Sequence, residues 1–456
     1  MIRLERGWVV VVFMAAGCVA EVDILGIGDD EPATLAAAPG SRNATGFGDT
    51  FFASGSFDAS NPFFGSLGTN SRTCASCHQQ AEGWSITPAG VQARFNKTSG
   101  TDPIFRTNDG SVSPYADVST VNARRTAYAM LLSKGLIRVG IGIPSNAEFT
   151  LDAVDDPYGF ASAAELSLFR RPLPATNLPF LPTIMWDGRE TLSGTDMRSN
   201  LAHQALDATL GHAQATSTNP AQLDSIVTFE SALFTAQTLD HGAGPLDKNG
   251  GKGGPQQLAN TPFFIGINDS LSPGFNPNAM TLFDGFAPPA KAKSDPESVR
   301  RYAIYRGQQI FNTRQFAIAG VSGLNDMLGQ PTITGTCTTC HDTPNVGNHS
   351  VTLALNIGVS DASRRTPDMP LYTLRNKTTG ATVQTTDPGR ALITGKWADI
   401  GKFKGPVLRG LQMRPPFFHN GMAASLEDVV AFYNARFAMG LTPQEQSDLL
   451  AFLQAL

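Results

Sequence analysis

The chain has 456 residues, enough for two or three domains, each with room for a substantial core. Charged residues make up only 16% and the formal net charge is −5, so no basic field exists to hold nucleic acid.

At the N-terminus, Arg3 and Arg6 precede the apolar stretch Trp8 to Ala16, which is too short to span a bilayer and suits a signal-peptide core. Ala15-Ala16-Gly17-Cys18 resembles a lipoprotein-processing site with Cys18 as the lipidated residue. Glu5 and Ala15 depart from that pattern, and cleavage by the ordinary signal peptidase is the alternative. Either route leads to the bacterial periplasm, with membrane contact expected only through a lipid on Cys18. Residues 1–18 are read as the signal segment and 19–45 as a flexible tether, because 29–43 are rich in Ala, Pro, Gly and Ser without apolar periodicity.

The other four cysteines form two motifs, Cys74-Ala-Ser-Cys77-His78 and Cys337-Thr-Thr-Cys340-His341. Two thiols one turn apart can form thioethers with the vinyl groups of a haem, and the adjacent histidine turns its imidazole onto the iron. Structural zinc is the alternative for four cysteines in two pairs, but zinc ribbons set their pairs about 15–20 residues apart. Here the pairs are far apart and each carries the immediate histidine, so two covalently bound haem c groups are expected, with His78 and His341 on iron. Such a protein fits a redox protein partner.

The stretch from His241 to Pro255 and the Pro-rich Phe286-Ala-Pro-Pro289 mark a break. The expected organisation is a first haem domain over 46–240, a connection over 241–293 and a second haem domain over 294–456. Asp295-Pro296 with Glu297 predicts a helix start, and Val299, Ala303, Gly307 and Phe311 recur along one face. Gly307 would let another helix approach closely. The last segment is the expected partner: Thr442 caps, Pro443 opens, Glu445 completes a capping box, and Leu449, Phe452, Leu453 and Leu456 form an apolar stripe. The fold class expected is mainly α, two cytochrome c-like domains with long irregular loops (45 Gly, 30 Pro), any strands being short and peripheral.

The segment from Phe403 to Gly421, which contains Arg414-Pro-Pro-Phe-Phe-His419, followed by Leu426 to Tyr433, resembles the C-terminal signature of bacterial dihaem cytochrome c peroxidases and MauG-type enzymes. Met185-Trp186-Asp187-Gly188-Arg189 resembles that family's tryptophan motif, and the two haem motifs stand in the family's order over about 46–456. The resemblance implies two cytochrome c-like domains, a peroxidatic haem in the first and an electron-transfer haem in the second. It places a blocking histidine of many members on Arg94, which implies a permanently open first haem. It places the second haem's further axial ligand on Tyr433, with Met413 and Met422 as competing ligands. Trp186 becomes a candidate relay. Of the family's distal pair, Gln204 is kept but Gln214 stands where glutamate belongs, and Gln cannot exchange a proton; His212 or Asp207 can substitute, His212 being better tuned to neutral pH. The family's calcium ligands fall on Arg171 and Arg414, two cations, so calcium is not expected unless a gap brings in Asn177. His203, His241 and His349 receive no role. The implied activity is reduction of hydrogen peroxide with electrons from a small c-type cytochrome or cupredoxin. Its alternatives are a MauG-like oxidase of a protein or small substrate and a non-catalytic dihaem electron carrier. Family members are often dimers, so a homodimer is a candidate assembly.

Overall fold

The computed structural model describes residues 40–456. The expected signal segment 1–18, Cys18 and residues 19–39 of the expected tether lie outside the described residues.

The tether expected over 19–45 runs too far. Ser41–Asn43 is already a strand, antiparallel to Gly46–Phe52, with Ser41 opposite Gly48. Asn43 makes the turn between them: its Oδ1 accepts from the Thr45 amide at 3.1 Å, and its Nδ2 donates to Gln237 Oε1 at 2.8 Å. Gly46–Phe52 pairs in turn with Leu233–Asp240, and Gly244–Pro245 completes a four-stranded sheet.

The mainly α expectation is corrected, as is the placing of strands at the periphery. Five separate sheets run among the helices in the described residues, and Leu233 to Gln237 is buried on both faces. Several strands have only two to four residues, too few for a period of two to stand out, and the pairing of the longer ones is set by distant partners rather than by local pattern. Pairing also satisfies backbone groups of long loops that would otherwise be buried without hydrogen bonds.

One small sheet joins distant parts of the chain. Leu371–Asn376 lies between Thr382–Thr385 and Phe149–Asp155, and the buried Tyr372 hydroxyl donates to Ser167 O at 2.7 Å. Phe149, Leu166, Leu168, Tyr372 and Leu374 pack there as one apolar cluster.

The helix pair expected near the C-terminus is present as Pro296–Thr313 and Pro443–Gln454. Asp295 Oδ1 caps the first by accepting from Ser298 N at 2.9 Å, and Thr442 and Glu445 cap the second reciprocally. Arg306 locks the crossing with two bonds of 2.7 Å to Asp448. Val299, expected on the packed face, is 48% exposed, while Ile304 and Phe311 are buried. The segment expected to serve as the connection over 241–293 also fills this core, since Ala243, Leu246, Met280 and Phe283 are fully buried within it. No helix among the described residues is long and apolar enough to cross a membrane.

At the crossing, a Cβ on Gly307 would stand 1.9 Å from Asp448 O and 2.7 Å from Phe452 Cβ. Backbone cannot yield there without parting the helices. Gly307→Ala should therefore lower stability by about 1–3 kcal/mol despite alanine's better helix propensity, read as a lower midpoint in thermal or urea denaturation.

Candidate functional site

The two Cys-X-X-Cys-His segments fold alike because they carry the same local device. Each is a 3-10 turn whose preceding threonine amide donates to the hydroxyl three residues on, Thr73 to Ser76 and Thr336 to Thr339, both at 3.0 Å. The histidine amides then bond back to the first cysteine carbonyls, at 3.0 Å for His78 and 2.9 Å for His341. His78 Nδ1 donates to Trp84 O at 2.9 Å and His341 Nδ1 to Gly347 O at 2.7 Å. A carbonyl acceptor fixes the tautomer, leaving Nε2 of each ring with its lone pair free for a metal. Burial is the largest influence on both imidazoles and lowers them, which keeps them neutral as ligation requires.

Each motif opens into its own cavity, of about 150 Å³ beside His78 and about 200 Å³ beside His341. The four thiols are free of disulfides, and burial pushes Cys74, Cys337 and Cys340 up to about 12. The two thiol pairs line separate cavities and so do not converge on one tetrahedral zinc, while each pair is free to add to vinyl groups. Apolar walls, free thiols and a pre-oriented imidazole in each cavity fit a covalently held haem.

Pro172, Leu173 and Pro174 line both cavities and so form the partition between them. The tryptophan motif completes that wall: Met185 faces the first cavity and Trp186, next in sequence, the second. Trp186 Nε1 donates to Arg171 O at 2.9 Å, and its ring meets His419 edge-on at 6.2 Å. The rest of the motif is an anchor. Buried Asp187 pairs with buried Arg170, which also makes bonds of 2.7 and 2.9 Å to Asp387. Burial works against the Arg170 charge, but Asp387 and Asp187 outweigh it and raise the guanidinium. Gly188 turns at φ 75°, where a Cβ would meet Arg390 at 2.6 Å.

Around the first cavity, Gln204 and His212 lie on its wall, contributed by the helix Met197–Gly211 and its C-cap. His212 Nδ1 bonds to Asp109, which also pairs with Arg72, one residue before the first haem motif's Thr73. Burial would raise Asp109, but Arg72 and His212 prevail and hold it below the usual carboxylate range. With Nδ1 engaged, Nε2 is the ring nitrogen left to the cavity. Gln214 is elsewhere: it is exposed, and its Oε1 accepts from Asn70 at 3.3 Å. Asp207 is exposed, near Glu190 and His203, which bond to each other at 2.6 Å. Arg94 is turned away from the cavity, to Asp102 and to Ser76 O at 2.7 Å.

Around the second cavity, Tyr433 lies on the helix Leu426–Arg436, its ring 6.4 Å from that of His341. Burial raises its phenol well above the ordinary value. The competing Met413 and Met422 do not line this cavity, and Met413 is packed against Gly48 and Gly83. Asn177 is taken up by Thr235, with bonds of 2.9 Å from both ends of its amide.

Sequence reading missed Asp109, Glu230, His349, His419 and Lys404. Glu230 lines the first cavity, fully desolvated, with Oε1 unpartnered and its carboxyl pushed up to about 8 by burial. His349 and His419 line the second and are pulled down by burial to about 3 and about 4. Asp109, Glu230 and His349 sit in no motif, whereas Lys404 and His419 lie within the Phe403–Gly421 segment and were given no role there. Only its place beside His212, 103 positions away, gives Asp109 its meaning.

No protein-family model matches the chain. It is similar to cytochrome-c peroxidase IdrP1 of Denitromonas iodatirespirans, 43% identical over 81 residues, 15% of this chain and 22% of that protein. It is also similar to cytochrome-c peroxidase IdrP2 of the same organism, 35% identical over 133 residues, 27% of this chain and 36% of that protein. Cytochrome c551 peroxidase of Nitrosomonas europaea is 38% identical over 69 residues, 15% of this chain and 21% of that protein. The matches thus span at most about a third of these relatives' length. Among solved structures, a MauG-like protein associated with microbial copper homeostasis aligns with 87% of this chain and 86% of its own, at 16% identity and a TM-score of 0.37. The motif resemblance to the dihaem cytochrome c peroxidase and MauG family agrees with the relatives found by sequence.

Removing Asp187 leaves Arg170 with half of its buried counter-charge. Asp187→Ala should cost about 3–5 kcal/mol, measured by denaturation, with a larger loss than the same change at the exposed Asp207.

Proposed function

We propose that this chain is a c-type dihaem peroxidase, exported to the periplasm, that reduces hydrogen peroxide at the cavity of His78 and takes electrons through the cavity of His341. The observation that carries the reading is the chain Arg72, Asp109, His212 converging on a cavity that already holds a Cys-X-X-Cys-His motif. The sequence relatives named as cytochrome-c peroxidases support it.

Haem c, when bound at Cys74 and Cys77 and at Cys337 and Cys340, supplies an iron for peroxide in the first cavity and a one-electron carrier in the second. Overall, H2O2 takes two electrons and two protons and becomes two molecules of water. His78 would hold the group in the first cavity, and Arg94, committed to Asp102, does not line that cavity. With haem in place, His212 Nε2 would accept a proton from one oxygen of hydrogen peroxide and return it to the other as the O–O bond breaks. Asp109 holds the imidazole in the tautomer that can do this and stabilises it when it carries the proton; Arg72 fixes Asp109. Gln204 donates a hydrogen bond to bound peroxide. The partition residues Pro172, Leu173 and Pro174, with Trp186, keep the cavities separate yet adjacent, and Trp186 carries charge between them. A small c-type cytochrome or cupredoxin is the donor in this reading.

A MauG-like oxidation of another substrate is the second reading, favoured by one observation: Tyr433, at the family position, lines the cavity of His341, and the competing Met413 and Met422 do not. If Tyr433 held the iron as a phenolate, it would favour the ferric state and lower the potential relative to methionine. Calcium has no part in either reading.

His212→Gln should reduce kcat/KM for peroxide by about 10²–10⁴-fold, and Asp109→Asn by about 10–100-fold, in protein with unchanged haem content. Turnover undiminished in both variants would remove His212 from the mechanism. Tyr433→Phe should change the absorption and paramagnetic resonance spectra of the second haem and leave the first unaltered; an unchanged spectrum would reject Tyr433 as its ligand.

A further inference from the structure

The cavity of His341 is apolar around its thiols, where Phe316, Ile318 and Phe437 stand, but three cations line it as well: Arg171, Lys404 and Arg414. Arg171 and Lys404 are only 5% and 6% exposed, and Arg414 is partly buried. Among the described residues, none of the three has a carboxylate within ion-pair distance. Arg171 donates only to carbonyls, including Ile86 O at 2.6 Å and Arg414 O at 3.1 Å. Arg414 donates to Val407 O at 2.7 Å and Arg409 O at 3.0 Å. Lys404 is held by its backbone, whose amide donates to Trp186 O at 2.9 Å, while its ammonium makes no hydrogen bond among the described residues. Glu82, the carboxylate that acts on Arg171 from a distance, is occupied by Thr87 through two bonds of 2.7 Å.

Three cations gathered without a counter-ion are costly, since burial disfavours each charge and each repels the others. Burial, with Arg414 adding repulsion, pulls the Lys404 ammonium down to about 7 and Arg171 to about 9. Buried Arg170, by contrast, is balanced by two aspartates. Three cations without a carboxylate lining one cavity point to an anion on whatever fills it.

We infer that Arg171, Lys404 and Arg414 form the anion-binding pole of this cavity and take the carboxylate side chains of the haem held at Cys337 and Cys340. The inference rests on the proposed function, which places haem there. It also sets the direction of an electrostatic effect. Positive charge next to the iron disfavours the ferric form, so the pole raises the potential of the second haem against the opposite pull of a tyrosine ligand.

The test uses the full-length haem-loaded protein. A mass measurement first counts the haems; fewer than two would defeat the function on which the inference rests. With two present, redox titration followed by absorption reads the second haem. Lys404→Gln and Arg414→Gln should each lower its midpoint potential while leaving the first haem's couple in place, and Lys404→Arg should keep the original value. A potential unmoved by both glutamine variants overturns the pole. So does a wild-type potential that falls with added acetate at constant ionic strength, because that would show the cations open to free carboxylates and not closed by the haem's own.

Discussion

Arg170 holds Asp187 and Asp387 in one buried ionic cluster, and the two segments that divide the cavities both hang from it. The four residues after Arg170 include the partition Pro172, Leu173 and Pro174; the residue before Asp187 is Trp186, and the one before that Met185. Asp387 comes from the far end of the chain, so the same cluster ties together parts that the small sheet through Leu371–Asn376 also joins. Its bonds are charge-assisted and shielded from water, which makes them stronger and more directional than surface ion pairs. The wall between the cavities is therefore held by electrostatics at its back, leaving its front faces apolar.

The cavities differ in what surrounds that wall. The first has an acid-base chain, His212 on Asp109 on Arg72, in which the His212 side chain is partly exposed. The second has buried cations and a partly buried phenol. A pair of nearly identical Cys-X-X-Cys-His turns thus opens onto two chemically unlike environments. In the proposed reading this asymmetry assigns peroxide to one and electron transfer to the other, because proton transfer needs a titratable group near solvent and a carrier needs a dry, fixed site.

Some of this was legible along the chain. Both haem motifs, the tryptophan motif and the crossing helices with Gly307 between them are local patterns, and each is found where its spacing placed it. Tyr433 reached the cavity of His341 through a family position, while Met413, chemically the softer candidate, turned to Gly48 and Gly83. The strands escaped notice because their partners lie far away in sequence: Gly46–Phe52 needs Leu233–Asp240, and Phe149–Asp155 needs Leu371–Asn376. Gln214, at the expected glutamate position, is carried to the surface just beyond the helix, at a left-handed φ of 54°.

By itself the sequence determined the groups whose chemistry depends on near neighbours: a thiol pair with its histidine, the turn that presents them, and the caps that start the helices. Those depend on contacts within a few residues, where covalent spacing alone sets the geometry. Tertiary structure decided which residues face one another across a cavity, so Asp109 became the partner of His212 and three scattered cations became neighbours. Burial, counter-charge and the direction of a proton or electron path are properties of the assembled surroundings, and no stretch of chain carries them in advance.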